Sequence, residues 1–145
     1  MTSQWAGYLF KAIKGNASEI FPHHYIQFDS WDSSPKQREE VKAWRDDYSR
    51  ELFRITANGQ MSTFSFKIRP NLHEADIVAI YDFFERFELD QTQRTIQIEY
   101  WNNESHSYSP GIFYRPNPKF QIRRITPTDI IYKEQTIEFI QAKDV

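Results

Sequence analysis

The chain has 145 residues, a formal net charge of −2 from 18 basic and 20 acidic side chains, and no cysteine. This length suits one domain with a core of its own. The near-balanced charge gives no field that would draw nucleic acid or an anionic membrane, and the missing cysteine excludes disulfides, thiol catalysis and cysteine-based zinc sites. Aromatic residues are abundant, with 12 Phe, 8 Tyr and 4 Trp. Each ring can bury roughly 150–250 Å², so a few close a small core and the remainder are expected partly exposed, where they mark interfaces. Met1 to Asn16 carries no long apolar run that reads as a signal peptide. No stretch approaches the length of a membrane span, and synthesis and folding in the cytoplasm are expected.

Trp5 to Lys14 reads as a first strand, with Tyr8, Phe10 and Ala12 on one face and Leu9 and Ile13 on the other. Both faces are partly apolar, as in a strand whose outer side is covered. Gly15-Asn16 ends it, and His24 to Phe28 reads as a second strand. Asp29 to Ser49 is a long charged arm, ten of its 21 residues being charged. Ser34-Pro35-Lys36-Gln37 has the form of a helix start, and Val41, Trp44 and Tyr48 fall at helical spacing, so the arm is either a short helix or an irregular extension.

Leu52 to Arg69 predicts a β-hairpin. Phe53, Ile55 and Ala57 alternate, as do Phe64, Phe66 and Ile68, and Asn58-Gly59 between them favours a tight turn with positive φ. Pro70 to Glu74 opens a helix with Asn71 as cap and Glu74 reaching back. Ile77, Ile80, Phe84 and Phe87 then form an apolar stripe, widened by Tyr81 and Phe83. Further strands follow at Ile96 to Trp101, Gly111 to Tyr114, Phe120 to Tyr132 and Thr136 to Gln141. Asn102-Asn103 turns the chain, while Pro116-Asn117-Pro118 and Pro127 interrupt pairing. The pattern predicts an α+β fold, a mostly antiparallel β-sandwich or split barrel with one main flanking helix at about residues 72–88 and the charged arm at about 29–49.

No arrangement for bond-making stands out. His23 and His24 are adjacent and face opposite ways on a strand, and no two histidines are spaced i,i+4 on a helix. Asp29/Asp32, Glu39/Glu40 and Asp46/Asp47 lack the glycine and alternation of a calcium loop, and read as a solvated or interfacial charged face. The four glycines form no phosphate loop and no nucleophile elbow. Phe113-Tyr114-Arg115 through Lys119-Phe120 to Arg123-Arg124 interleaves rings with positive charge, as single-strand binders do. A β-barrel for single-stranded nucleic acid, and a hydrolase using a carboxylate pair, are therefore alternatives. The expectation is that the chain is not an enzyme and has no catalytic residue, no cofactor and no metal. Trp, Tyr and Arg are the residues most enriched at interface hot spots. The candidate interface residues are Trp31, Arg38, Trp44, Arg45 and Tyr48 in the arm, with Arg115 and Arg123 beyond it.

Several motifs also carry a resemblance. They are Ser33, Pro35, Gln37, Arg38, Glu39 and Glu40, then Arg45-Asp46, Leu52 and Arg54, Asn71-Leu72-His73, Glu99-Tyr100-Trp101-Asn102, Gly111, Phe113, Tyr114 and Pro116, and the closing strand Thr136 to Ile140. Along nearly its whole length the chain resembles a family of small uncharacterised tail proteins of phages and prophages. The layout also looks like the fold shared by tail-tube, distal-tail and baseplate-hub proteins, in which a β-sandwich or split barrel is flanked by a helix and six copies commonly close into a ring. The resemblance implies one tail-tube-like domain over residues 1–145. It implies a structural protein in the tail of the virion, a homo-oligomer in a hexameric ring near the distal tail or baseplate, touching the tail tube and tip proteins. A tail tube or tail-completion protein is the alternative within that class. No membrane and no specific nucleic acid are expected as partners.

Overall fold

The computed structural model describes residues 2–37, 40–45, 52–56 and 61–143. Strands β1 (Phe10–Lys14) and β2 (Ala17–Ile20) form a hairpin around Gly15, whose φ is +60°. A 3-10 turn at His23–Tyr25 leads to β3 (Asp32–Gln37), β4 (Glu40–Arg45), β5 (Leu52–Thr56), β6 (Met61–Ile68) and the two-residue β7 (Leu72–His73). Helix α1 (Glu74–Phe87) runs straight into β8 (Glu88–Asp90). The chain ends with β9 (Thr95–Asn102), β10 (Ser107–Tyr114), β11 (Ile122–Ile125), β12 (Ile130–Tyr132) and β13 (Gln135–Lys143). The main sheet has the order β2-β1-β9-β10-β13-β6-β3, with β8 also on β9; β11-β12-β7 and β4-β5 form two smaller sheets. Every ladder among the described residues is antiparallel, so the α+β class, mostly antiparallel with one helix, holds.

Alternation dictates the inner face of the main sheet. In β9 the side chains of Ile96, Ile98 and Tyr100 are buried, while Gln97, Glu99 and Trp101 between them face out. Asn102 ends the strand: its Oδ1 accepts the amides of Glu104 (2.9 Å) and Ser105 (3.3 Å), which returns the chain into β10. Helix α1 lays Ile77, Ile80, Phe83, Phe84 and Phe87 on the inner face. There Phe84 meets Phe139 of β13 at 5.6 Å and Phe21 at 5.7 Å between ring centroids, and Phe64 joins Phe139 at 5.1 Å. Fully burying one such side chain contributes about 1.5–3 kcal/mol, so this phenylalanine cluster is the main source of stability.

The structure corrects five expectations. The strand at His24 to Phe28 is a 3-10 turn followed by a single bridge, Ile26 to Ile68, because the turn closes on the carbonyls of Pro22 and His23. In the stretch 29–49 the described pieces from Asp32 on are strands, so Ser34-Pro35 does not start a helix. β3 is the last strand of the main sheet, and its register shifts between Ser34 and Gln37, around Pro35, which has no amide to give. The hairpin fails for a reason of edges. β6 is bonded to β13 on one side and β3 on the other, which leaves β5 to pair with β4; the Asn58-Gly59 turn lies outside the described residues. Finally, α1 begins after His73, whose amide donates to Asp76 Oδ2 (3.1 Å), and not at Asn71. Asn71 holds a positive φ of 67° and ends the run from Pro70, so Leu72 and His73 can pair with β12. The first strand is also shorter than expected, since Gly7, at φ +90°, precedes its start at Phe10.

Candidate functional site

Three places combine exposed or unpartnered chemistry. The first is the outer face of the main sheet. Trp101 and Tyr108 are directly opposite on β9 and β10, with ring centroids 5.2 Å apart. The N-terminal segment lies over them. Trp5 meets Trp101 edge-on at 5.2 Å, and Tyr8 stacks on Tyr108 at 4.4 Å. Backbone bonds fix this arrangement: Ala6 donates its amide to the Tyr108 hydroxyl, which donates in turn to the Tyr8 carbonyl. Trp5 is still 49% exposed. Farther along the same face, Tyr114 stands opposite Ile140, and both keep contact with solvent.

The second place is the loop before β3. Ser30 Oγ donates to the Gln27 carbonyl (2.7 Å) and accepts the Lys67 amide (3.1 Å), while Gln27 donates its amide to the Lys67 carbonyl (2.7 Å). Asp29 takes a positive φ of 60° within this turn. The result is a pinned turn with Phe28 at its tip, 90% exposed. Beside it Trp31 stacks on Phe64 at 5.0 Å, and its indole Nε1 is buried without a partner.

The third place is interior. Arg115 follows β10 directly and is 8% exposed. Its guanidinium lies over the rings of Tyr81 (5.2 Å) and Phe84 (5.0 Å), and its Nε and Nη1 have no hydrogen-bond partner. Two cavities meet at this side chain, one of about 250 Å³ and one of about 420 Å³. Desolvation lowers the Arg115 pKa and raises that of the Tyr81 hydroxyl, which accepts from Gln135 Nε2 at 2.7 Å.

The residues singled out in the sequence thus scatter. Trp31 is packed on the core, and Arg115 is inside instead of on display. Arg123 is exposed and donates to Asn71 Oδ1 (2.9 Å). The backbones of Trp44 and Arg45 lie in β4 opposite Phe53 and Leu52, while Arg38 and Tyr48 are outside the described residues. The outer-face cluster of Trp5, Tyr8, Trp101 and Tyr108 was not singled out as a site, although the two-sided apolarity of Trp5 to Lys14 was the signal for it. In the ring-and-charge stretch, Phe113 is fully buried and Phe120 leans on Tyr81 and Tyr132. Among the described residues no group of three or more His, Asp or Glu stands close enough to hold a metal ion, and no helix is long and apolar enough to cross a membrane.

Compared with known proteins, residues 1–142 match the model of a family described as a family of unknown function, DUF6711. No curated protein matches the chain.

Proposed function

The chain belongs to that family, DUF6711, and from the resemblance of its motifs we propose that it is a structural subunit of a phage or phage-like tail, one that assembles with copies of itself and with neighbouring tail proteins. The observation that carries the reading is the ring cluster on the outer sheet face, where Trp5, Tyr8, Trp101 and Tyr108 are organised by hydrogen bonds yet remain open to solvent. Ordered, half-buried aromatic side chains are the usual anchors of protein contacts. Phe28, exposed at the tip of a pinned turn, supports the same reading, since a rigid anchor loses little entropy on docking.

In this proposal the sheet has the sandwich or split-barrel role of tail-ring proteins, and a heterologous interface repeated around an axis closes a ring, hexameric by the resemblance. The β4–β5 pair, a sheet separate from the main one, is offered to a neighbouring subunit, and the ring is placed near the distal tail or baseplate of the virion. Light scattering across a concentration series, with negative-stain images, tests it. Rings or larger closed particles are expected. A chain that stays monomeric at high concentration and fails to join purified tails sinks the proposal.

A further inference from the structure

We propose that the cavity beneath Arg115 is a binding site for a carboxylate, a monoanion presented by a small organic acid or by the carboxyl end of a peptide. A guanidinium removed from water needs acceptors, because a buried charge without them is costly. Arg115 is 92% buried (from its 8% exposure) and two of its nitrogens are unpartnered. Its contacts with Tyr81 and Phe84 offset part of that cost, but a ring face accepts no hydrogen bond of the kind a carboxylate does. The planar fork of arginine matches a carboxylate.

The surroundings narrow the ligand. The Tyr81 hydroxyl accepts from Gln135, so its own hydrogen is left to give to an incoming oxygen. The smaller cavity, about 250 Å³, is walled by Pro116, Pro118 and Ile137 beside Arg115 and Tyr81. That volume exceeds one water and suits a compact apolar body behind the charged group. Exposed Glu138 is on its rim. Glu85 and Glu88 line the larger cavity together with Arg94 and Arg115. Glu88 and Glu85 attract Arg115 through space against the opposing charge of Arg94, and with two carboxylates to one cation beside it the site repels a dianion more than a single charge. A carboxylate is therefore favoured over a phosphate. The proposal does not depend on assembly, since the cavity can be occupied in a single chain.

The test is a titration of the intact chain with sodium benzoate at constant ionic strength, followed by melting temperature and by the NMR signals of the Arg115 Nε–H and the Gln135 side-chain amide. A saturable rise in melting temperature is expected, with the Arg115 Nε–H shifting downfield. Arg115→Met keeps the stem against the rings and should bind about tenfold or more weakly, as loss of a charged hydrogen bond predicts. Tyr81→Phe should weaken binding by a smaller factor. Gly-Gly-Phe with a free carboxyl end, set against its amidated form, separates the two sources. Binding of the free form but not the amide, with benzoate inert, assigns a peptide terminus; binding of benzoate assigns a small acid. Should Arg115→Met not fold, the wild-type NMR map decides, and shifts confined to residues away from Tyr81, Arg115 and Gln135 overturn the site. So do the absence of a saturable response to benzoate and peptide, equal binding of the amide, phosphate binding tighter than benzoate, or full affinity in a folded Arg115→Met.

Discussion

Gly111 stands in β10 where a Cβ would come within 2.9 Å of the Phe113 ring and 3.1 Å of Gln141 Nε2. Neither neighbour can retreat easily. Phe113 is fully buried, and Gln141 is tied through its Oε1 to the Ser62 amide, beside the bond from the Tyr100 hydroxyl to Ser62 Oγ. Gly111→Ala should therefore cost about 1–3 kcal/mol, the usual range for overpacking, read from urea denaturation. Phe84→Ala removes the ring that joins α1 to Phe21 and Phe139 and should cost more, about 3–5 kcal/mol. Asp129 makes a pH prediction at the same scale. Its carboxylate accepts from the His73 ring and from the amides of Ile130 and Glu74. The His73 bond above all holds its pKa below the ordinary 3.8. A depressed carboxylate stabilises above the unfolded pKa and loses that contribution as pH falls through the folded one. The melting temperature of wild type should drop as pH is lowered below 3.8, and Asp129→Asn should flatten that part of the curve.

Elements were more legible than their partners. β9, β10, β13 and α1 follow from periodicity because their buried residues recur at two or three to four positions. Asn58-Gly59 between two alternating runs pointed to a hairpin, yet pairing is decided by which strands occupy both edges of β6, and neither β3 nor β13 is close in sequence. The helix start shows the same limit. Asn71 is a good cap locally, but its positive φ and the pairing of Leu72 with Tyr132 give that stretch to a strand first. The candidate site was legible only in part for the same reason: nothing local tells that Arg115 turns inward over Tyr81 and Phe84, since those rings come from a helix some thirty residues earlier. The seam between α1 and β12 offers a test. Tyr132 donates its hydroxyl hydrogen to Glu74 in the first turn of the helix, which pushes the tyrosine pKa up to about 12. The unfolded tyrosine ionises first, at its ordinary value of 10.0, so the bond stabilises fully below that pH and its contribution is lost as pH rises toward 12. Tyr132→Phe should therefore be less stable than wild type near neutral pH, with the difference shrinking between pH 10 and 12 in calorimetric melts.

For the whole molecule, the decisive quantity is what the core leaves over. The inner face of the main sheet and the stripe of α1 consume most of the phenylalanines, while Trp5, Phe28, Phe120 and Ile125 remain 46–90% exposed. Single exposed apolar groups are common and mean little. Phe28 differs because its turn is fixed by three hydrogen bonds through Gln27, Ser30 and Lys67, so the ring is held out instead of sweeping back onto the body. Docking such a ring into a partner contributes about 1.5–3 kcal/mol, which weakens one contact by roughly 10- to 150-fold when it is removed. Phe28→Ser should leave the melting temperature of the monomer unchanged, because a side chain this exposed supports little of the fold. It should raise the concentration at which higher-order species appear in sedimentation by at least that factor, with Trp5→Ser acting in the same direction through the outer sheet face. If both variants associate like wild type, these rings are ordinary surface and the assembly proposal loses its physical basis. If instead Phe28→Ser melts several degrees lower, the ring is a support of the fold and not an anchor held out for a partner.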